Sequence, residues 1–414
     1  MTSKSPVEEP ATSAPLSSGP LAGLRILELG HFVAAPFAAR LLADLGAEVI
    51  KVEPPGGDPV RQWGEQVNGA SLWWSMHGRN KLSISLDLKK PRARDIVLGL
   101  AAQCDAVIEN FRPGQLERWG LGAEALRRVR PDLVIAQISG YGQNGPHRDR
   151  PAFGVIGEAV GGLRYLTNRS DPTGEPPVRV GISIGDSAAG LYAALGVVAA
   201  LWKRDRDGRG RTIDVALSEA VLSLMEGMLP EYGALGKIKQ PTGSAIATAA
   251  PSNAYPTADG AWILIAANSD PLFRRLAQLI GRPELADMQK YVGNAQRVRN
   301  AEELDGIIAD WSRQRPSREI FDELDGASIP ASFIYTAADC AADPQFRARG
   351  MVREVVDPLH GQVLHAGIVP HVPEDPGSIR WAGPALGEHT EPILRDVLGL
   401  GAAEMNDLRR EGVI

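Results

Sequence analysis

A carboxylate stands at the head of a run of small residues in Gly185-Asp-Ser-Ala-Ala-Gly-Leu-Tyr192. The run continues through Ala193, Ala194 and Gly196 and reads as a helix, so Asp186 falls at or near its N-terminus. Exposed backbone N–H groups and the helix dipole favour an anion there. A carboxylate kept ionised at neutral pH can act as a nucleophile toward an electrophilic carbonyl. The same placement suits a plain N-cap, a role Asp fills very commonly. Spacing alone leaves both readings open.

His31, His77 and His147 follow predicted strands in loops, where each could enter a site or lie at the surface. Cys104 and Cys340 are the two cysteines, which gives neither a disulfide framework nor a zinc spacing. A reducing, cytoplasmic compartment is therefore expected. The net charge of −6 gives no global pull toward nucleic acid, although local basic patches can still hold phosphates. Hydrophobic residues make up 44% and charged residues 23%, the balance of a globular chain. No uninterrupted apolar run is expected to approach the roughly 18–20 residues of a membrane-spanning helix. Residues 1–20, rich in Ser, Pro, Ala and Glu, lack the pattern of a secretory signal. Glu8 and Glu9 also argue against a transit peptide. The stretch is expected to be a disordered tail, with the fold starting near Leu21.

A chain of 414 residues is too long for one ordinary core, so two domains are expected. Residues 24–29 alternate and are β-prone, 36–45 read as a helix, and 48–52 as a second buried strand. This is a βαβ unit, whose strands should be parallel. Further strands are predicted at 81–86, 106–108 and 133–138, with helices at 91–103 and 121–129. The expected fold class is α/β: a Rossmann-like large domain over 21–215, completed by 385–414. A smaller α+β domain is predicted over 250–345, from a strand at 261–267 and helices at 271–280, 301–314 and 317–324. The stretches 216–249 and 346–384 are expected to be linkers.

A βαβ unit ending in the acidic Glu53 invites a dinucleotide-binding reading. The glycine fingerprint is missing, because Gly30-His-Phe-Val-Ala-Ala-Pro36 holds one of three expected glycines. Phe32 would also block the close approach to a pyrophosphate that glycine permits. An NAD-dependent dehydrogenase is therefore disfavoured.

Four segments in order resemble the class III CoA-transferases, the group including formyl-CoA and carnitine CoA-transferases and related acyl-CoA racemases. They are Leu21-Ala-Gly-Leu-Arg-Ile-Leu-Glu-Leu with Gly46-Ala-Glu-Val-Ile-Lys-Val-Glu53; Asn80-Lys-Leu-Ser-Ile-Ser-Leu-Asp87; Glu109-Asn-Phe-Arg-Pro-Gly114; and Gly185-Asp-Ser onward to Gly208-Arg-Gly-Arg-Thr-Ile-Asp214. The likeness runs to Gly387-Glu-His-Thr390, nearly the whole chain. It implies that Asp186 is the nucleophile, passing through an anhydride and an aspartyl-CoA thioester. It also implies that Asn110, Phe111 and Arg118 line the coenzyme A site and that Lys81 lies in a segment that does likewise. From the residues alone, Arg118 and Lys81 also suit a solvated surface, and Asn110 and Phe111 a strand cap and a core position.

No cofactor is expected beyond the CoA thioester as substrate, and no metal. The resemblance further implies an interlocked homodimer, with acyl-CoA and carboxylate substrates as partners; from charge and hydropathy, no nucleic-acid or membrane partner is expected. Two positions depart from the formyl-CoA pattern: Val33 replaces a Gln found in some members, and Pro54 a basic residue. Racemases of the superfamily use a Gly-His-Asp segment, where His moves a proton. Phe153 stands at that His position here and cannot do so. Arg164, Arg169 and Arg179 precede Asp186 and could hold a second carboxylate, which would suit a dicarboxylate such as succinate or a citramalate- or itaconate-like acid. They suit a solvated loop face equally.

Overall fold

The computed structural model describes residues 18–168, 174 and 176–414. Of the expected tail, residues 1–17 lie outside the described residues. The predicted βαβ unit forms as β1 (Arg25–Glu28), α1 (Ala34–Asp44) and β2 (Glu48–Glu53). A small hairpin of β3 (Gln66–Val67) and β4 (Ala70–Ser71) leads into α2 (Leu72–His77) and β5 (Lys81–Ser85). Then come α3 (Pro91–Ala102), β6 (Ala106–Glu109), α4 (Gln115–Arg118), α5 (Ala123–Val129) and β7 (Val134–Ser139). After α6 (Gly154–Val160) and α7 (Leu163–Leu166) follow the long helix α8 (Ile184–Asp207), β8 (Thr212–Ala216) and α9 (Leu217–Leu222).

Six of these strands form one parallel sheet in the order β5-β2-β1-β6-β7-β8. Counted along the chain this is 3-2-1-4-5-6, the doubly wound order. The winding reverses between β1 and β6, and such a reversal leaves a crevice outside the carboxyl ends of the two strands. Strand alternation sorts the side chains onto two faces. Ile26, Val49, Ile108 and Val134 pack toward α1 and α8, while Leu27, Ile50, Val107 and Ile135 pack toward α3.

The second part of the chain contains α10 (Met228–Leu235), β9 (Ser252–Pro256), β10 (Trp262–Ala266), α11 (Asp270–Leu279) and α12 (Asn294–Arg299). It continues with α13 (Ala301–Ser312), α14 (Ser317–Gly326), β11 (Ala331–Phe333) and α15 (Ala337–Ala342). Its antiparallel sheet, β11-β10-β9, buries Ile263 and Ile265 against Phe273, Leu276, Leu304 and Ile320. The chain closes with α16 (Pro344–Ala348), an antiparallel hairpin of β12 (Val352–Asp357) and β13 (Gly361–Ala366), α17 (Thr390–Leu398) and α18 (Ala402–Arg410). Ile393, Leu394, Met405 and Leu408 of the last two helices join the core behind β1 and β2.

Two compact units result. Unit 1 takes the described residues up to Leu163, then Gly181–Glu226 and Pro344–Ile414; unit 2 takes the described residues of Arg164–Val180 and Gly227–Asp343. The two expected linkers are structured. Helix α9 within 216–249 buries Leu217, Ala220 and Val221 in unit 1. The hairpin within 346–384 is pinned to unit 1 by polar contacts: His365 Nε2 lies 3.0 Å from Ser75 Oγ, and Arg79 Nη1 donates to the Ala366 carbonyl at 2.6 Å. Its strands carry polar and exposed residues between Gly- and Pro-rich flanks, so their pairing left little periodic signal.

Helix α8 corrects another expectation. At 24 residues it is long and apolar enough, by length and composition, to cross a membrane. Half of its apolar window is buried, with Ala188, Ala189, Ala193 and Val197 in the core against α1, which is how the core helix of a globular unit behaves. Small side chains set this packing. A Cβ added at Gly190 would lie 2.8 Å from the Ala34 carbonyl oxygen and 2.9 Å from the Phe37 ring. Helix propensity favours alanine over glycine by about 1 kcal/mol, whereas forcing a methyl into a packed contact costs about 1–3 kcal/mol. The backbone oxygen has no room to yield, so packing wins. Gly190→Ala is expected to lower the urea midpoint of unfolding, whereas Gly306→Ala, in an open position on α13, raises it or leaves it unchanged.

Candidate functional site

Outside the carboxyl ends of β1 and β6 lies a cavity of about 300 Å³, lined in part by His31, Phe32, Asn110, Phe111, Phe153 and Asp186. Its first wall is the loop after β1, and that loop stands on buried charges. Lys51 Nζ contacts Glu28 Oε1 at 2.7 Å, Asp58 Oδ2 at 2.8 Å and the Gly30 carbonyl at 2.9 Å. Lys81 Nζ contacts Glu28 Oε2 and the Pro36 carbonyl, both at 2.7 Å. Glu28, Lys51 and Lys81 are wholly inaccessible to solvent. Burial alone would lower the Lys51 pKa, but Asp58 and Glu28 outweigh it and hold the ammonium above its ordinary value. Asp58 uses its other oxygen to accept from Phe32 N at 3.0 Å and Val60 N at 2.9 Å. Phe32 has φ +63°, a left-handed conformation that costs a non-glycine residue about 1–3 kcal/mol unless its surroundings hold it. The Asp58 carboxylate supplies that hold.

The second wall is the loop after β6. Asn110 Oδ1 accepts from His31 N at 2.9 Å, and Asn110 Nδ2 donates to the His31 carbonyl at 2.8 Å. This pair of hydrogen bonds ties the two loops together across the sheet's point of reversal. Beneath it, Glu109 accepts from Phe111 N at 2.7 Å and Gln137 Nε2 at 3.1 Å. Aromatic rings continue the wall. His31 packs edge-on to Phe111 with centroids 5.0 Å apart, Phe111 does the same with Trp119 at 5.2 Å, and Phe32 meets Phe153 at 5.8 Å. His31, Phe111 and Trp119 also border an adjoining apolar slot of about 180 Å³, with Val52, Pro54 and Leu86. Burial, as the largest influence, lowers the His31 pKa.

Asp186 occupies the first turn of α8 and is half-buried. A Cβ added at Gly154 would lie 2.0 Å from Asp186 Oδ2, so the backbone that opens α6 rests directly against the carboxylate. Any side chain at 154 would displace it. The first turn of this 24-residue helix presents the positive end of the helix dipole to the carboxylate. Arg112 and Arg150 line the same cavity and bring positive charge. A carboxylate at the wall of a cationic, aromatic cleft can attack an electrophilic carbonyl bound there.

The structure brings Asp186, Asn110 and Phe111 to one cavity. Asn110 contributes through its clamp on His31, since both ends of its amide are engaged there. Arg118 is exposed at the end of α4, where its Nη2 donates to Gln115 Oε1 at 2.5 Å; Gln115 and Trp119 of that turn reach the cavity, and Arg118 does not line it. Lys81 is the correction. It lies in the core with its ammonium enclosed by Glu28 and Pro36, so it can touch no bound phosphate. His77 is removed from the cavity, with burial pushing its pKa down to about 3, and His147 packs on Tyr141. Arg164 donates to the Pro177 carbonyl at 3.5 Å within unit 2, to which Arg179 also belongs; Arg169 lies outside the described residues. Of the three loop histidines expected either to enter a site or to lie at the surface, His31 lines the cavity. Phe32 also lines it and Gly154 supports Asp186, roles the sequence did not indicate, although the Gly30-His-Phe loop after the first strand was the available signal.

Comparison with known proteins gives a consistent result. The sequence model of CoA-transferase family III matches residues 21–390. Succinyl-CoA--D-citramalate CoA-transferase of Chloroflexus aurantiacus is 47% identical over 397 residues, covering 95% of this chain and 98% of that protein. The beta subunit of succinyl-CoA--L-malate CoA-transferase of the same organism is 39% identical over 399 residues, covering 95% and 98%. The crystal structure of a CAIB/BAIF family protein from Brucella suis superposes with a TM-score of 0.82 at 33% identity, covering 92% of this chain and all of that one.

Burial raises the Glu109 carboxyl from its ordinary 4.5 to about 8, and the hydrogen bonds from Phe111 and Gln137 only partly offset this. Between those values the folded state holds a proton that the unfolded state has released. Stability therefore falls as pH rises through that window, with a slope approaching about 1.4 kcal/mol per pH unit, and levels off above about 8. Glu109→Gln keeps an acceptor for Phe111 N and cannot ionise. Urea unfolding from pH 5 to 9 is expected to show the decline in the parent and a flatter profile in the variant.

Proposed function

As the chain belongs to CoA-transferase family III and is a CoA-transferase, we propose that it moves coenzyme A from succinyl-CoA to a dicarboxylic or hydroxydicarboxylic acid through covalent chemistry on Asp186. The observation that carries this reading is the Asp186 carboxylate, set in the first turn of α8 against Gly154 and facing the cleft. The relatives named for succinyl-CoA with citramalate or malate support the choice of acids. Pro54 and Val33 depart from the formyl-CoA pattern and point the same way. The reading places coenzyme A along the aromatic wall, with the apolar slot beside Trp119 suited to a flat ring. Arg112 and Arg150 are candidates for its phosphates or for the second carboxylate of the acid.

In this mechanism an Asp186 carboxylate oxygen attacks the thioester carbonyl of the donor. The C–S bond breaks, the CoA thiolate leaves, and a mixed anhydride remains. The thiolate then attacks the aspartyl carbon of that anhydride, which forms an aspartyl-CoA thioester and expels the donor acid as its carboxylate. The acceptor carboxylate attacks the aspartyl thioester, releasing the thiolate and giving a second anhydride. Attack of the thiolate on the acceptor's acyl carbon yields the new acyl-CoA and restores Asp186. No net proton transfer is needed, so the absence of a base at Phe153 is no obstacle. Racemisation, by contrast, would require that base.

An interlocked homodimer also belongs to this reading. Leu191, Leu195 and Trp202 form a stripe along α8 and are 54%, 64% and 63% exposed. None of the residues of α10 is buried, despite Met228, Leu229, Tyr232 and Leu235. Apolar surface left open on two helices suits burial against a second copy.

Asp186→Asn is expected to lower turnover by several orders of magnitude while circular dichroism and melting stay unchanged. Denaturing mass spectrometry after incubation with succinyl-CoA should show a CoA-sized adduct on Asp186 in the parent and none in the variant. Near-normal turnover of the variant, without slow reversion to Asp, would sink the mechanism. For the assembly, mixing isotopically light and heavy protein should give no mixed dimers over hours by native mass spectrometry; a monomer at micromolar concentration, or exchange within minutes, would exclude interlocking.

A further inference from the structure

A cavity of about 500 Å³ opens in unit 1 between β12 and the segment that follows β13, and the proposed transferase chemistry makes no use of it. Arg349, Arg353, His371 and Arg380 line it, with Glu354 as the one acidic residue on its wall. Many arginines elsewhere in this chain pair with carboxylates. Among the described residues none of these three arginines forms an ion pair. Arg353 folds back so that its Nε donates to the Gly350 carbonyl at 3.0 Å. Arg380 is half-buried: its guanidinium stacks 4.4 Å above the Trp381 ring, its Nη2 reaches the Asn80 carbonyl at 3.3 Å, and its Nε is buried with no hydrogen-bond partner. Its electrostatic neighbours Asp44 and Glu48 are committed elsewhere, Asp44 to Arg40, Arg79 and Asn80, and Glu48 to Arg25.

The cavity stands apart from the Asp186 cleft. Ala34, at the start of α1, lines the cleft, while the Asp44 carbonyl, at the end of α1, accepts from Ser378 N at 3.1 Å on the cavity wall. Eleven residues of α-helix separate them by roughly 15 Å. The volume is within the range of small-molecule sites. Guanidinium forks match carboxylate and phosphate oxygens two at a time.

We propose that this cavity is a binding site for a small, multiply charged oxyanion, held by Arg349, Arg353 and Arg380. The ligand carries two or three negative charges, as carboxylates or as phosphate, and the buried Arg380 Nε is the donor it completes. The site is independent of the reaction assigned to Asp186.

Isothermal titration of the full-length protein at constant ionic strength tests this, with tricarballylate, pyrophosphate and acetate as probes. Saturable binding of a multivalent probe is expected, with acetate weaker by at least about tenfold, or 1.4 kcal/mol. Arg349 and Arg353 are exposed, so the double variant Arg349→Gln/Arg353→Gln should fold normally, which a thermal melt checks. It should weaken multivalent binding by about tenfold or more, as expected for the loss of charge-assisted hydrogen bonds. Asp186→Asn should leave that binding unchanged, so failure of the transferase mechanism and failure of this site are told apart. Tighter binding of tricarballylate identifies an organic acid as the ligand and tighter binding of pyrophosphate a phosphate, and either supports the site. No saturable binding below roughly 10 mM, a free energy too weak to matter at cellular concentrations, overturns it. So does equal affinity in the double variant, which would return the anion to the Asp186 cleft.

Discussion

Two ammonium groups sealed from water dominate the cleft end of unit 1. Removing a buried cation's partner costs about 3–5 kcal/mol, because the charge that remains has no solvent to turn to. Lys51 and Lys81 share Glu28, and Lys51 also holds Asp58 and the Gly30 carbonyl. The arrangement fixes the ends of β1 and β2, the start of α1 through the Pro36 carbonyl, and the loop between them. Asp58 in turn accepts from the Phe32 backbone and sustains its left-handed conformation. Glu53, paired with Arg61 and accepting from Asp58 N at 2.9 Å, extends the lattice outward. The aromatic wall of the cleft is thus an outgrowth of an electrostatic constraint.

The cleft itself is a consequence of topology. Because the strand order reverses between β1 and β6, the loops that follow them part and leave room. Asn110 bridges that gap and keeps it from widening. The third wall comes from the far side of the sheet's connectivity, where α8 lies on α1 through glycine and alanine. Close helix packing brings the first turn of α8, and with it Asp186, to the mouth of the reversal. A bulkier interface would hold the carboxylate away from the other two walls. The fold and the shape of the cleft are therefore coupled through small residues as much as through charged ones.

The C-terminal part of unit 1 shows the same economy of polar contact. The β12–β13 hairpin buries little apolar surface of its own, with Val355 its one buried hydrophobic residue. It is held by His365 on Ser75, by Arg79 on Ala366, and by His360 on the Ala70 carbonyl at 3.0 Å. Asn80 carries the next stretch through its bond to the Ser378 carbonyl at 2.7 Å. Directional bonds of this kind leave the hairpin's outer side free of packing duty, and that is where the arginine-lined cavity opens.

What the sequence determined by itself was local. Alternation in 24–29 and the buried strand pattern of 48–52, with a helical stretch between them, specified a parallel βαβ unit, because strand and helix periods are written in neighbouring residues. The small residues after Asp186 specified its helix and the carboxylate's place near the start. The missing glycines around Phe32 disfavoured a dinucleotide site, and Phe153 removed the base that racemisation needs. Tertiary structure decided the rest. Lys81 reads as a surface cation until Glu28, far earlier in the chain, is brought beside it. Asn110 reads as a ligand contact until both ends of its amide meet His31. Residues 346–384 read as a linker because hairpin pairing with polar anchoring leaves no apolar period. Gly154 carries no signal at all until α8 sets the Asp186 carboxylate against it. Each of these depends on contacts between residues remote in sequence, and such contacts exist only once the chain has folded.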